Sequence, residues 1–302
     1  MEQQPTFDVA LLGCGNMGAA LGRALLGAGY RVIAWNRTPE KAQALEPNGA
    51  RSADTAAEAV GSARTTVACV RAYDDLEKVL ATVDMPAGHT LINVTTGAPH
   101  DADRLRQWAE TQRVRYLDGA ILAFPEQIGA PTCQLLVAGS PEVWESHGDL
   151  VRAMGGASRH VSANANGANV LDLGGVGAFY GVSILGFIEA ARYVTACGVS
   201  VDELLLVARQ LDQILHAAQQ QCVDTLTSGD YSTDQATVDV YHSGSSAFRD
   251  TMAERVGPAP MIEAAAGLLA RGVDAGFGQE SLYALYKLYQ DRGANQSVAQ
   301  VQ

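Results

Sequence analysis

Asp172 and Tyr180 are polar groups set into the most apolar stretch of this 302-residue chain: the sixteen residues between Asp172 and Glu189 carry no charge. A carboxylate and a phenol hydroxyl in such surroundings are suited to proton transfer or to hydrogen bonding with an enclosed ligand. Gly174, Gly175, Gly177, Gly181 and Gly186 interrupt the same stretch, and each costs a helix about 1 kcal/mol relative to alanine. Close approach of a cofactor or another backbone would offset that cost. A helix that is apolar all round is buried on all sides, and sixteen residues fall short of the ~20 that cross a bilayer. The stretch therefore reads as a central helix packed by both domains or by a second subunit.

A second constellation is Gly13-Cys14-Gly15-Asn16-Met17-Gly18. It follows the apolar run Phe7 to Leu12 and precedes the helical residues Ala19 to Leu26 and the strand Arg31 to Trp35. Strand, glycine turn, helix and second strand are the order a dinucleotide-binding fold requires. The glycines admit a pyrophosphate to the backbone, and the helix N-terminus offers free N–H donors to it. At the end of the second strand an NAD site usually carries Asp or Glu for the ribose 2′-hydroxyl. Here stand Asn36-Arg37-Thr38, with Lys41 one turn on. These side chains donate to a 2′-phosphate that a carboxylate would repel, so the cofactor is read as NADP or NADPH.

Further strands run from Thr66 to Val70, entering a loop at Arg71, and from His89 to Thr95. Ligands of parallel sheets lie beyond the carboxyl ends of the strands, so Val70, Arg71, Asn93 and Thr95 are cofactor-side candidates. Asn93-Val94-Thr95 also spells a glycosylation sequon, without meaning in a cytosolic chain. A strand at Arg115 to Ala120 leads into a loop over Ile121 to Pro131, where Ile121, Leu122 and Phe124 suit an apolar substrate wall and plain core packing equally. Beyond the central helix, Ser200 and Glu203 stand at capping-box spacing before a helix through Leu215. Gly229-Asp230-Tyr231 breaks it, another helix spans Asp234 to Glu254 with Tyr241 and His242, and two shorter ones follow Pro260 and Gly276. The expected fold is α/β: an N-terminal Rossmann dinucleotide-binding domain (residues 1–163), a long central interdomain helix (164–198) and an all-α C-terminal domain (199–302). The last residues, Asn295 to Gln302, read as frayed.

A net charge of −12 argues against nucleic acid, whose binding draws on clustered Lys and Arg. Five scattered cysteines without a C-x-x-C pair fit reduced thiols in a cytoplasmic protein. The polar start Met1 to Pro5 lacks the order of a signal peptide. Neither H-E-x-x-H nor a Cys/His cluster occurs, so no metal is expected.

With these residues laid out, the chain resembles the imine reductases and reductive aminases of the β-hydroxyacid dehydrogenase superfamily. The resemblance rests on the glycine motif, Asn36-Arg37-Thr38-Pro39-Glu40-Lys41, Asp118-Gly119-Ala120 with Pro125-Glu126-Gln127-Ile128-Gly129, and Asp230-Tyr231. Asp234 to Asp239 and Gly276-Phe277-Gly278 complete it. Hydroxyacid dehydrogenases of the superfamily carry a catalytic lysine near the start of the central helix. This chain has three lysines, Lys41, Lys78 and Lys287, none of them there. Asn93, Asp172 and Tyr180 resemble the Asn/Asp/Tyr set of reductive aminases, including the eight-residue gap from Asp to Tyr. On an ideal α-helix that gap is an offset of about 80° and 12 Å.

The resemblance implies NADPH-dependent reduction of imines, preformed or assembled from a carbonyl compound and an amine. Asp172 would donate a proton or stabilise the iminium, Tyr180 would position the nitrogen, and Asn93 would link to cofactor or amine. It also implies a 6-phosphogluconate dehydrogenase-like C-terminal domain and a domain-swapped homodimer whose partner surface brings Tyr241 and His242 to the substrate, with neither nucleic acid nor membrane as partner. The rivals are a hydroxyacid dehydrogenase of unusual mechanism and a non-catalytic NADP-binding sensor or scaffold.

Overall fold

Alternate residues of one strand enter two different cores, which makes the first half of the chain a three-layer structure. A computed structural model describes residues 6–290; the readings of Met1 to Pro5 and Asn295 to Gln302 lie outside them. In β1 (Val9–Leu12), Val9 and Leu11 pack on one face of the sheet and Ala10 and Leu12 on the other, the period-two alternation of a strand covered on both sides. The first face meets α1 (Asn16–Gly27) through Leu21 and Leu25 and, further on, α6 (Pro141–Met154) through Val143, Leu150 and Met154. The second meets α3 (Ala56–Gly61), α4 (Tyr73–Leu80) and α5 (Pro99–Thr111), through residues such as Val60, Leu76 and Leu105.

The sheet orders its strands β3-β2-β1-β4-β5-β6-β7-β8. They are β2 (Val32–Trp35), β3 (Arg51–Ser52), β4 (Thr65–Ala68), β5 (Thr90–Asn93), β6 (Arg115–Ile121), β7 (Leu135–Gly139) and β8 (Arg159–Ser162). All neighbours are parallel except β6 and β7. From β1 the chain passes to β2 on one side and returns to β4 on the other. That reversal leaves a crevice at the carboxyl ends of β1 and β4, where ligands of such sheets bind. The short α2 (Pro39–Gln43) follows β2.

After β8, α7 (Gly167–Asp172) lies against the sheet through Ala168, which packs on Ala120, Leu136 and Ala138. Glycine is required at its start, because a Cβ on Gly167 would come within 2.4 Å of Ser162 Cβ. The helix does not continue as an α-helix: Leu173–Tyr180 is a π-helix, followed by α8 (Gly181–Ala196). Hydrogen bonds there close at i→i+5, so the α-helical 80° and 12 Å do not apply to this stretch. The division between two compact units falls between Phe179 and Tyr180, inside the segment read from the sequence as a separate central helix.

The second unit is helical: α8, α9 (Val201–Ser228), α10 (Val238–Val256), α11 (Pro260–Asp274) and α12 (Lys287–Gln290). Ser200 caps α9 by accepting from Glu203 N, and Gly229 ends it with φ 71°, a left-handed conformation that glycine adopts at least cost. The carboxylate of Glu189 accepts from Met261 N and Ile262 N at 3.0 Å each, satisfying orphan donors at the start of α11. Arg192 donates to the carbonyls of Val256 and Pro258. Asp239 N donates to Gly278 O at 3.0 Å, and a Cβ on Gly278 would come within 2.5 Å of the Asp239 carboxylate. Two motifs that carry the family resemblance thus lock chain segments together.

The central helix departs from its expected burial. No residue of Leu173–Tyr180 or of α8 is buried, and the positions of Gly174, Gly175, Gly177 and Gly186 have nothing within 4 Å of an added Cβ. From Gly167 to Ala196 the helical run is 30 residues, and its most apolar 18-residue stretch has mean hydropathy 1.6, long and apolar enough by length and composition alone to cross a membrane. Of its three charged residues, Glu189 and Arg192 are nonetheless engaged by protein groups, and Asp172 is partly buried.

Candidate active site

The crevice beyond β1, β2 and β4 is a cleft of about 380 Å³. It is lined by Gly13, Gly15, Asn16, Met17 and Gly18, by Asn36, Arg37, Thr38 and Lys41, and by Val70 and Arg71. Two glycines are obligatory. Gly13 has φ +97° and a Cβ there would lie 2.2 Å from Cys69 O; one on Gly18 would lie 2.1 Å from Gly13 O. Gly15, the residue before α1, has open space around it and no side chain caps the helix. The first N–H groups of α1 are therefore free for an anion, with no acidic residue in that turn to compete. Asn36 ties two walls of the cleft together: its Oδ1 accepts from Cys14 N at 2.9 Å and its Nδ2 donates to Thr38 O at 2.9 Å. Arg37, Thr38 and Lys41 are exposed at the rim. The donor set and the glycine geometry fit a dinucleotide with a 2′-phosphate. Trp35, Cys69, Asp75 and Val79, none of them a cofactor-side candidate from the sequence, also line the cleft.

Asn93 and Thr95 do not line that cleft; they are 0% and 1% exposed and back it from within. Thr95 Oγ1 accepts from Val70 N at 3.2 Å, and Asn93 Oδ1 accepts from Thr95 N at 3.1 Å. Asn93 Nδ2 donates to the carboxylate of Asp118 at 3.1 Å. The sequon at Asn93 is thereby sealed from glycosylation in the folded chain.

Asp118, fully buried, is the hub of this network. Tyr73 Oη donates to its two oxygens at 2.7 and 2.8 Å, and Tyr116 Oη donates to Oδ2. Burial pushes the Asp118 carboxyl up to about 7, against the pull of hydrogen bonds from Tyr116, Tyr73, Asn93 and Gly119 N. Tyr73 accepts in turn from Asn169 Nδ2 at 3.0 Å, and the same amide donates to Gly97 O at 3.1 Å. A Cβ on Gly97 would come within 2.3 Å of the Tyr73 ring, so glycine makes room for the phenol. Asn169 belongs to α7, three residues before Asp172.

Asp172 is partly buried, and that burial raises its carboxyl pKa. Tyr180, 50% exposed, falls in the second unit. Of the wall residues, Ile121 packs on the core, while Leu122 and Phe124 are exposed. Tyr241 is exposed and His242 half-buried, both on α10. None of the lysines is on the central helix: Lys41 is at the cleft rim, Lys78 is exposed, and Lys287 lies 4.3 Å from the Tyr231 ring centre and 5.0 Å from that of Phe277.

Comparison with known proteins places this arrangement. The profile of the NAD binding domain of 6-phosphogluconate dehydrogenase matches residues 8–174, and that of the NADPH-dependent reductive aminase-like C-terminal domain matches residues 165–291. The chain belongs to the 6-phosphogluconate dehydrogenase-type NAD-binding family, among the imine reductases and reductive aminases. An NADPH-dependent reductive aminase of Aspergillus oryzae is 28% identical over 290 residues, covering 93% of this chain and 96% of that protein. An imine reductase from Pseudomonas sp. superposes with TM-score 0.87 at 28% identity, over 93% of this chain and 98% of that one. A reductive aminase from Aspergillus terreus, solved with NADPH4, cyclohexanone and allyl amine, gives TM-score 0.87 at 26% identity over 94% and 99%. The similarity runs through both units of this imine reductase family member.

Proposed function

We propose that this protein reduces imines and iminium ions to amines with NADPH, including imines assembled from a carbonyl compound and an amine. The observation that carries this is Asp172: a partly buried carboxyl whose pKa burial raises, on the helix where hydroxyacid dehydrogenases carry lysine. A carboxyl group pairs with a cationic C=N carbon–nitrogen unit as an ammonium does not.

NADPH, when bound, supplies the hydride. The N–H groups opening α1 hold the pyrophosphate, Arg37, Thr38 and Lys41 hold the 2′-phosphate, and Val70 and Arg71 border the same cleft. Asp172 protonates the substrate nitrogen or stabilises its charge, and Tyr180 positions it by a hydrogen bond. Asn93, enclosed as it is, acts by holding Thr95 and through it Val70. Ile121, Leu122 and Phe124 form the apolar side of the substrate pocket.

In this reading the chain works as a domain-swapped homodimer, organised as residues 1–163, 164–198 and 199–302, with Tyr241 and His242 supplied by the second copy. The exposed apolar side chains support it: Val182, Leu185 and Ile188 on α8 are 52–59% exposed, and Leu211 and Ile214 on α9 are 54% and 65% exposed. Apolar surface on that scale marks an association site. The protein is read as cytoplasmic, bound to neither membrane nor nucleic acid, and its five cysteines are free thiols.

The test is NADPH consumption with a preformed cyclic imine, then with a ketone and excess amine. Turnover in the first establishes imine reduction, and turnover in the second extends it to reductive amination. Reduction of NADP by a β-hydroxyacid with no activity on either imine mixture would overturn the reading.

A further inference from the structure

Two segments essential to the reading above meet at one buried carboxylate. The strand end and loop after β5 carry Asn93, Thr95 and Gly97; the turn that leads to Asp172 carries Asn169. Asp118 reaches the first directly, through Asn93 Nδ2 at 3.1 Å, and the second through Tyr73, whose hydroxyl accepts from Asn169 at 3.0 Å. Asn169 is 2% exposed, its Oδ1 lacks a partner among the described residues, and the amide is held at Nδ2 by Tyr73 and by Gly97 O. Few other polar ties fix α7: its capping residue Asn166 donates to Asp103 Oδ2 at 2.9 Å, and Ala168 contributes apolar contact. Tyr116 stands apart. It donates to Asp118 and also interacts with the Asn93 side chain, and it takes no part in the Tyr73–Asn169 link to the helix.

We propose that Asp118 is a positioning residue, which through Asn93 and the Tyr73–Asn169 pair fixes the cofactor-side loop and the helix bearing Asp172 in one frame. This rests on the imine-reducing reading for its kinetic consequence and not for its structural one. The physical basis is donor counting. A carboxylate accepts from Tyr73, Tyr116 and Asn93 together, whereas an amide in its place brings two N–H groups of its own into a ring of donors and cannot accept from all three.

Three variants separate positioning from simple stabilisation: Asp118→Asn, Tyr73→Phe and Tyr116→Phe. Misplacement of a catalytic group by ~1 Å costs on the order of 10²-fold in rate. We expect Asp118→Asn and Tyr73→Phe to lower kcat for a cyclic imine by about that factor, with NADPH affinity measured by fluorescence titration within about threefold of wild type. Tyr116→Phe, which leaves the Tyr73–Asn169 link intact, should keep kcat within about threefold even where its melting temperature falls, since stability and positioning are separate effects. Hydrogen exchange at Gly167 to Asp172 reads the structural half without turnover: the first two variants should speed it by about tenfold or more and the third should not. Unchanged exchange and kcat in Tyr73→Phe, or equal losses in all three, would overturn the proposal. If the wild type reduces no imine but exchange follows the stated pattern, the functional reading fails and the positioning role stands. Tyr73→Phe carries the test if Asp118→Asn does not fold.

Discussion

In the dinucleotide-binding unit every residue of β1, β4, β5 and β7 is buried, whereas α9, with 28 residues, buries only Thr225, and α8 buries none. The first unit satisfies its own apolar surface by covering both faces of a sheet. The second leaves whole helix faces uncovered, although it holds ion pairs such as Arg249–Asp250 and Lys287–Glu280. A helix that is apolar all round thus identifies burial without saying who supplies it. In the first unit the supplier is the chain itself; in the second it is the second copy proposed above.

The largest effect separating the two regions should come from charging the uncovered face. Leu211→Asp with Ile214→Asp is expected to abolish the dimer and with it all turnover, seen as a halved mass in sedimentation. If both residues faced solvent for good, mass and rate would stay at wild-type values. Leu117→Ala, in the fully buried centre of the sheet, should cost about 2–5 kcal/mol whatever the protein concentration. Leu215→Ala, 42% exposed in the single chain, should show its loss as a concentration-dependent melting temperature; a loss below about 0.5 kcal/mol would place it on an ordinary surface.

Titratable groups sharpen the same contrast, because the deeply buried ones lie in the first unit. His89 is lowered to about 4 from 6.5, by burial and then the charge of Arg115. The unfolded chain therefore binds its proton more tightly, and stability rises with pH from about 4 to 6.5. Asp118 is raised to about 7 from 3.8, so the folded chain binds the proton more tightly, and stability falls as pH rises across that window. The two oppose each other below pH 6.5. Asp118→Asn should leave a melting temperature that climbs between pH 5 and 6.5, and His89→Gln one that declines. Parallel profiles would show that neither group titrates as assigned.

The smallest effects are the caps. Thr55 accepts from Glu58 N at 3.0 Å at the start of α3, and Ser200 from Glu203 N at 3.3 Å at the start of α9. Replacement by alanine should cost about 1 kcal/mol in each case, followed by thermal or chemical unfolding.

How far such features are legible in the sequence depends on the range of the interaction. The glycine loop, the strands around it, the Ser200 cap and the Gly229 stop are local, and the expected elements lie within a few residues of the observed ones. Two further local signals mark helices that the expected elements omit: Ser140 followed by Pro141 opens α6 with a side-chain cap, and Asp74 and Asp75 fill the first turn of α4. Others give little signal. The strand Arg51–Ser52 has two residues, and β8 reads Arg-His-Val-Ser without a fully buried position. The π-helical stretch was read as α because its glycines and apolar residues suit either ladder. Much of the site is non-local. The hub at Asp118 gathers residues 73, 93, 116 and 169, with Tyr73 and Asn169 separated by 96 positions, and no spacing within a motif reveals that.

The central claim is that the carboxyl of Asp172 performs the work that lysine performs in the hydroxyacid enzymes. Its most direct test is single-turnover oxidation of bound NADPH by a cyclic imine, in wild type and in Asp172→Ala at matched cofactor saturation. A fall of about 10²-fold or more with NADPH affinity retained is the result expected of a proton donor. Equal rates in the two proteins would contradict the account.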